Sequence, residues 1–372
     1  MGKYALILAF SYYRHPDANY ELQYLPSSIH DIVMIYKLCK NMEIPNGNIT
    51  IVADLQPMKQ FPSELYSCNI RSNPFPSDTF VCREISQFIE NTIRGIQDSS
   101  YKDSGNIPEV LLYISGHGDK VLIDEKNNQG IVLTSDDGKD LRYLLSKDIF
   151  NIIFGNFIIN SDGTMNIPIY SKIKRLKRIN NGIQKTNIIE NIGIENQITV
   201  HLSPTVLTPQ TSPELLDKTY RTSYLINRGI PVSTKMLIII DTCYSEHMTY
   251  FPFIYEPRSQ NMISTSNYNI EIGIDLPHCV TISSCESDKT TKIGSSGSSL
   301  TKILYMQLLE FKGKLNISQL HYLIYNSRNE IIDKLIRKEA THPIITSTIS
   351  DSEIDIPFYS IYKPKNIKII EK

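Results

Sequence analysis

A histidine held between two glycines follows an almost unbroken apolar run. Val110-Leu111-Leu112-Tyr113-Ile114 leads straight into Ser115-Gly116-His117-Gly118-Asp119. A cysteine stands in the same position after another such run, where Lys235-Met236-Leu237-Ile238-Ile239-Ile240 leads into Asp241-Thr242-Cys243-Tyr244-Ser245. One imidazole and one thiol, each just past a buried strand, can meet if the two strands are neighbours. A thiol is mostly protonated at neutral pH, and the thiolate is the attacking species. An imidazole within reach can take that proton or stabilise the anion, so the pair suits nucleophilic catalysis. Glycines beside His117 keep room for a substrate backbone. They also let the Gly118 N–H point at a developing oxyanion, with the Cys243 N–H as second donor. Taken alone, Cys243 would read as a small apolar residue packed at a strand end. His117 in its glycine frame and Asp241 two residues before the thiol tip the reading toward chemistry.

The elements that must carry this pair alternate between short apolar runs and helical periodicities. Strands are expected over residues 4–10, 48–54, 110–115, 235–241, 279–285 and 354–362. Helices are expected over 27–41, 79–96, 141–154, 298–311 and 317–336. The first helix gathers Ile29, Ile32, Val33, Ile35, Tyr36 and Cys39 near one face, and Ser77-Asp78 supply a cap before the second. This alternation predicts an α/β fold, a three-layer α/β/α sandwich around a mostly parallel central sheet of about six strands. Sites in such sheets collect beyond the carboxyl ends of the strands, where His117, Cys243 and Asp54 all fall. Residues 1–155 then form the first part of the core, carrying His117, and residues 233–372 the second, carrying Cys243. Residues 156–232 have weak periodicity, scattered prolines and the basic run 171–189; they read as an insertion or linker.

Composition narrows the partners. Lys plus Arg number 38 against 39 Asp plus Glu, a formal charge of −1, which gives no reason to expect nucleic acid or an anionic membrane. The six cysteines form no C-x-x-C pair and no zinc-ligand spacing, and their low density fits a reducing compartment. Cys39, Cys68, Cys82 and Cys279 read as packing residues. No stretch of eighteen apolar residues is present, and the first apolar run lacks a small-residue cleavage site, so it reads as a strand rather than a signal peptide. The resulting expectation is a monomeric, cytoplasmic protein with no membrane partner.

Five segments, in order along the chain, carry a resemblance. They are YLPSSIHDI (24–32), S-G-H-G (115–118), D-T-C-Y-S (241–245), ISSCESDKTTKIGSSGSSLTKIL (282–304) and THPIITSTISDSEIDIPFYSI (341–361). Together they resemble the caspase superfamily of cysteine peptidases, and most of all the metacaspases, over about residues 3–155 and 233–362. The resemblance implies a caspase-like fold and a dyad in which His117 is the general base and Cys243 the nucleophile. It implies an acyl-enzyme and no cofactor required for the chemistry. It also implies cleavage of protein or peptide substrates after Arg or Lys, in a pocket whose acids map to Asp31 and Asp241, with Ser115 on the wall. Two carboxylates in one cleft are unfavourable alone and make a receptor for a cationic side chain.

Departures from the family pattern bear on regulation. Ser28 stands where metacaspases carry a cysteine. Calcium activation maps only in part: Asp136, Asp137 and Asp140 could supply ligands, but Tyr250 stands where a further aspartate is expected, and calcium takes six or more oxygens. Self-cleavage of the linker finds candidates in Lys172, Lys174, Arg175, Lys177, Arg178 and Lys185. Two other readings stay open. IIIDTCYSEHM (238–248) also resembles the legumain and GPI-transamidase relatives, which implies Asn-directed cleavage. The third reading is a caspase-like module that binds partners without catalysis.

Overall fold

The computed structural model describes residues 2–14, 24–54, 62–100, 107–123, 126–155, 164–170, 177–179, 182–184, 194–201, 229–246, 248–249, 251–265, 276–285, 293–294, 297–309, 311, 313–332 and 343–359. Its centre is a nine-stranded sheet. In chain order the strands are β1 (Lys3–Ala9), β2 (Ile49–Ala53), β3 (Asn69–Ser72), β4 (Glu109–Ser115), β5 (Lys235–Asp241), β6 (Phe253–Glu256), β7 (Asn261–Ser264), β8 (His278–Ser283) and β9 (Ile344–Ser347). They lie side by side as β7-β6-β9-β8-β5-β4-β1-β2-β3. The six from β8 to β3 are all parallel, and β9, β6 and β7 extend the sheet by antiparallel pairs.

The apolar runs are continuous because both faces of the parallel strands are covered. Val110, Leu112, Ile114, Met236, Ile238 and Ile240 point into one core with helices α2 (Asp78–Ser100) and α3 (Ser146–Phe154). Leu111, Tyr113, Leu237 and Ile239 point into the other, with α1 (Ser28–Asn41), α4 (Ser299–Leu308) and α5 (Ile317–Ile332). The result is the expected α/β/α sandwich. Among the described residues no helix is long and apolar enough to cross a membrane.

Two expected elements are corrected. Residues 141–154 are not one helix: Leu141–Leu145 is a strand, and the helix begins at Ser146. Tyr143 and Leu145 pack with Val121 and Val132, whereas Leu144 enters the larger core on the other side. That alternation, with the antiparallel partner Lys126–Thr134, outweighs a helical pattern that five residues cannot distinguish. Residues 354–359 are not a strand of the sheet, and 360–362 lie outside the described residues. Ile356 N–H donates to the Leu315 carbonyl (2.7 Å) and Leu315 N–H to the Tyr359 carbonyl (3.1 Å), so the segment is tied to the start of α5. The last strand is β9, from the preceding THPIITS.

A second, antiparallel sheet runs in the order Ile194–His201, Thr164–Tyr170, Leu141–Leu145, Lys126–Thr134 and Gly118–Ile123. Part of the region read as linker is therefore ordered: its strand Thr164–Tyr170 reaches the core's Leu141–Leu145 through Tyr170 beside Tyr143. In the basic patch, Lys177–Ile179 pairs with Gly182–Gln184, while Lys172, Lys174, Arg175 and Lys185 lie outside the described residues.

Candidate active site

Strands β4 and β5 are direct neighbours, paired in parallel with Asp241 beside Ser115. Two residues further along each strand stand Cys243 and His117, both partly exposed. The cysteine turn and the histidine loop are in contact. A Cβ placed on Gly118 would collide with the Cys243 carbonyl and sit 3.0 Å from Thr242 Oγ1. Gly118 is thus a glycine for lack of space, and its backbone packs directly on the peptide of Cys243. The cysteine turn is fastened from β8's end: Ser284 Oγ donates to the Thr242 carbonyl at 2.9 Å, and the Cys285 thiol reaches the same oxygen at 3.4 Å. Cys285 is buried. Tyr244, next to Cys243, has a left-handed φ of 56°, and its ring faces Lys120 Nζ at 5.2 Å.

Strand parity places Asp241 and Ser115 on the face covered by α1 and α4. Asp31, in the first turn of α1, and Ser298, the N-cap of α4, meet them there. Asp31 Oδ1 accepts the Ser298 N–H at 2.9 Å, and the Ser298 hydroxyl donates to Asp241 Oδ2, so one serine bridges the two acids. Asp241 Oδ2 also accepts the Thr301 hydroxyl (2.6 Å) and N–H (3.2 Å). The Tyr113 hydroxyl lies 2.8 Å from Thr301 Oγ1. Asp241 Oδ1, by contrast, is buried with no hydrogen-bond partner among the described residues. Gly297, at φ +118°, keeps the approach to Asp31 tight: a Cβ there would lie 2.8 Å from Asp31 Oδ1.

Burial sets the protonation of this pair. Asp31 is pushed up to about 8 by burial first and then by the charge of Asp241, with the Ser298 N–H and nearby Lys302 pulling the other way. Burial also raises Asp241, against its three hydrogen bonds from Ser298 and Thr301. Two neighbouring carboxyls so deeply buried resist being ionised together.

The histidine has its own support. His117 N–H donates to the Tyr12 hydroxyl at 3.1 Å, and the two rings lie 4.8 Å apart. Tyr12 and Asp54 carried no assigned role in the sequence, although Asp54 was marked as a strand-end residue. Ser298 was also missed; a serine just before an apolar helix is an N-cap signal, but nothing in the spacing ties it to Asp31 and Asp241. The expected calcium ligands are not assembled. Asp136, Asp137 and Asp140 are exposed on one turn, where Asp137 pairs with Lys139 at 2.9 Å and Asp140 with Arg142 at 3.7 Å. Among the described residues no group of three His, Cys, Asp or Glu side chains could hold a metal ion.

The fold and site together define a thiol and an imidazole at the carboxyl edge of a parallel sheet, beside a buried pair of acids. No protein-family model matches the sequence, and no curated protein matches it. Among solved structures, a Geobacter sulfurreducens protein determined as a structural-genomics target overlaps with a TM-score of 0.47 at 10% identity, covering 97% of this chain and 100% of its own. Caspase-1 from Spodoptera frugiperda overlaps with a TM-score of 0.43 at 12% identity, covering 96% of this chain and 90% of its own. At such scores neither likeness bears on what the site does.

Proposed function

We propose that this protein is a monomeric cysteine endopeptidase of metacaspase type that cleaves peptide bonds after Arg or Lys. The observation that carries the reading is the buried acid pair Asp31–Asp241, with Asp241 Oδ1 unpaired among the described residues, Asp241 ending the strand that leads to Cys243 and Asp31 lying in the first turn of α1. A guanidinium or ammonium entering that pocket would satisfy Asp241 Oδ1 and neutralise both carboxyls. The substrate carbonyl that follows is then carried toward the thiol, Ser115 lining the way.

In this reading His117 takes the proton from Cys243 Sγ, and the thiolate attacks the carbonyl carbon. The oxyanion is received by the N–H groups of Gly118 and Cys243. His117 returns the proton to the leaving amine, which departs with the C–N bond, leaving a thioester. Water, deprotonated by His117, then attacks the thioester, releasing the acid and the thiol. No step needs a cofactor.

The test is cleavage of fluorogenic peptides ending in Arg, Lys, Asp or Asn by the full chain and by Cys243→Ala, each with and without calcium. Cleavage after Arg and Lys is expected, falling at least ~10³-fold in the variant. Cleavage after Asn alone would move the protein to the legumain type. Silence toward all four, including after limited proteolysis within 172–185, would leave a binding module.

A further inference from the structure

Tyr12 is tied into the site from both ends. Its hydroxyl accepts the His117 N–H at 3.1 Å and donates to the Val132 carbonyl at 2.8 Å. Val132 N–H donates in turn to the His117 carbonyl at 2.9 Å, so hydroxyl, histidine loop and the adjoining strand form a closed ring of bonds. The Tyr12 ring lies against the imidazole with centroids 4.8 Å apart. The residue is 2% exposed and has a left-handed φ of 57°, a conformation an aromatic residue adopts only when its surroundings impose it. Asp54 imposes it. At the end of β2, its two carboxylate oxygens accept the N–H groups of Ser11 and Tyr12 at 2.6 and 2.5 Å. Gly116 makes room: a Cβ there would lie 2.8 Å from the Tyr12 hydroxyl.

We propose that Tyr12, locked by Asp54, is the residue that positions His117 for proton exchange with Cys243. The inference rests on the Cys–His reading above. A dyad whose imidazole must swing neither toward solvent nor into the core needs a wall and a tether, and Tyr12 supplies both: its ring is the wall and its hydroxyl tethers the backbone. Burial keeps the phenol protonated far above any working pH, so the hydroxyl remains donor to Val132 and acceptor from His117 throughout.

The test compares wild type, His117→Ala, Tyr12→Phe, Gly116→Ala and the double variant Tyr12→Phe/Gly116→Ala in the full chain. The first readout is the rate of Cys243 alkylation by iodoacetamide at pH 6.5, followed by peptide mass. The other five cysteines are buried, so labelling is selective. Tyr12→Phe is expected to slow alkylation about 10-fold, in the direction of His117→Ala, because small displacements of a catalytic group carry large rate penalties. Where peptide is cleaved, kcat should fall by about the same factor, with KM within about 2-fold of wild type. Gly116→Ala, which presses on the hydroxyl, should resemble Tyr12→Phe, and the double variant should be no slower than either single one. If His117→Ala alkylates like wild type, the dyad itself fails and this inference with it. If His117→Ala is slow while folded Tyr12→Phe and Gly116→Ala match wild type, the dyad stands and Tyr12 is only a core residue.

Discussion

At the scale of single residues the sharpest consequence concerns Asp31. It lies 1% exposed beside a second acid, and its pKa of about 8 means the empty pocket holds a proton at neutral pH. A cationic side chain favours the ionised form, so binding of Arg or Lys must expel that proton. Affinity for a basic substrate should therefore rise with pH up to about 8, approaching a tenfold gain per unit as a limit. KM for an Arg peptide measured from pH 6 to 8.5 should fall across that range, while KM for a citrulline peptide, neutral but of the same shape, stays flat. Asp31→Asn keeps an acceptor for the Ser298 N–H but removes the charge. It should cost about 100-fold or more in kcat/KM for Arg substrates and leave Cys243 alkylation unchanged. Equal losses on Arg and citrulline peptides would mean that Asp31 supports the fold of the site and does not read the charge.

At the scale of elements, the site is made where two turns touch. Gly118 opens the strand Gly118–Ile123 against the Cys243 peptide, and there is no flexible side chain to yield: backbone meets backbone. Gly118→Ala should therefore leave far-ultraviolet circular dichroism unchanged while activity falls about 100-fold; an active variant would show that the two turns can part without harm. How legible this was follows from the same elements. The strands β1, β4, β5 and β8 are buried on both faces and announce themselves as apolar runs, so the positions of His117 and Cys243 at their ends could be read directly. The hairpins Gly118–Ile123/Lys126–Thr134 and β6/β7 could not. Asn127, Asn128 and Asn261 are poor strand formers, and those segments are strands because a partner sits alongside. Tyr12 and Ser298 were illegible for a related reason: each acts through polar contacts with residues distant in sequence, and no periodicity encodes such contacts.

At the scale of the whole molecule, the buried acids are a load on stability near neutral pH. Asp31 stands near 8, and Asp148, buried in α3 with one oxygen unpaired, near 7. Both are raised by burial, so both contribute stability that is full below the unfolded value near 4 and is lost as pH rises through the folded one. His278 works in the opposite sense. Burial and then Lys235 lower it to about 4, so its contribution is intact above about 6.5 and lost below. Between about 6.5 and 8 the histidine is silent and the carboxyls act unopposed. Unfolding free energies of the ligand-free protein from urea titration should thus fall over that interval, by about 2 kcal/mol from Asp31 alone at the limiting slope. Asp31→Asn should flatten most of the fall and be the more stable protein at pH 8, a common trade where a site holds its own charges at a cost. Argininamide, occupying the pocket, should raise the wild-type midpoint more at pH 8 than at 6.5 and leave Asp31→Asn unmoved. Parallel falls in both proteins, with no argininamide effect, would mean that Asp31 is already ionised at neutral pH and that the pocket is not waiting for a cation.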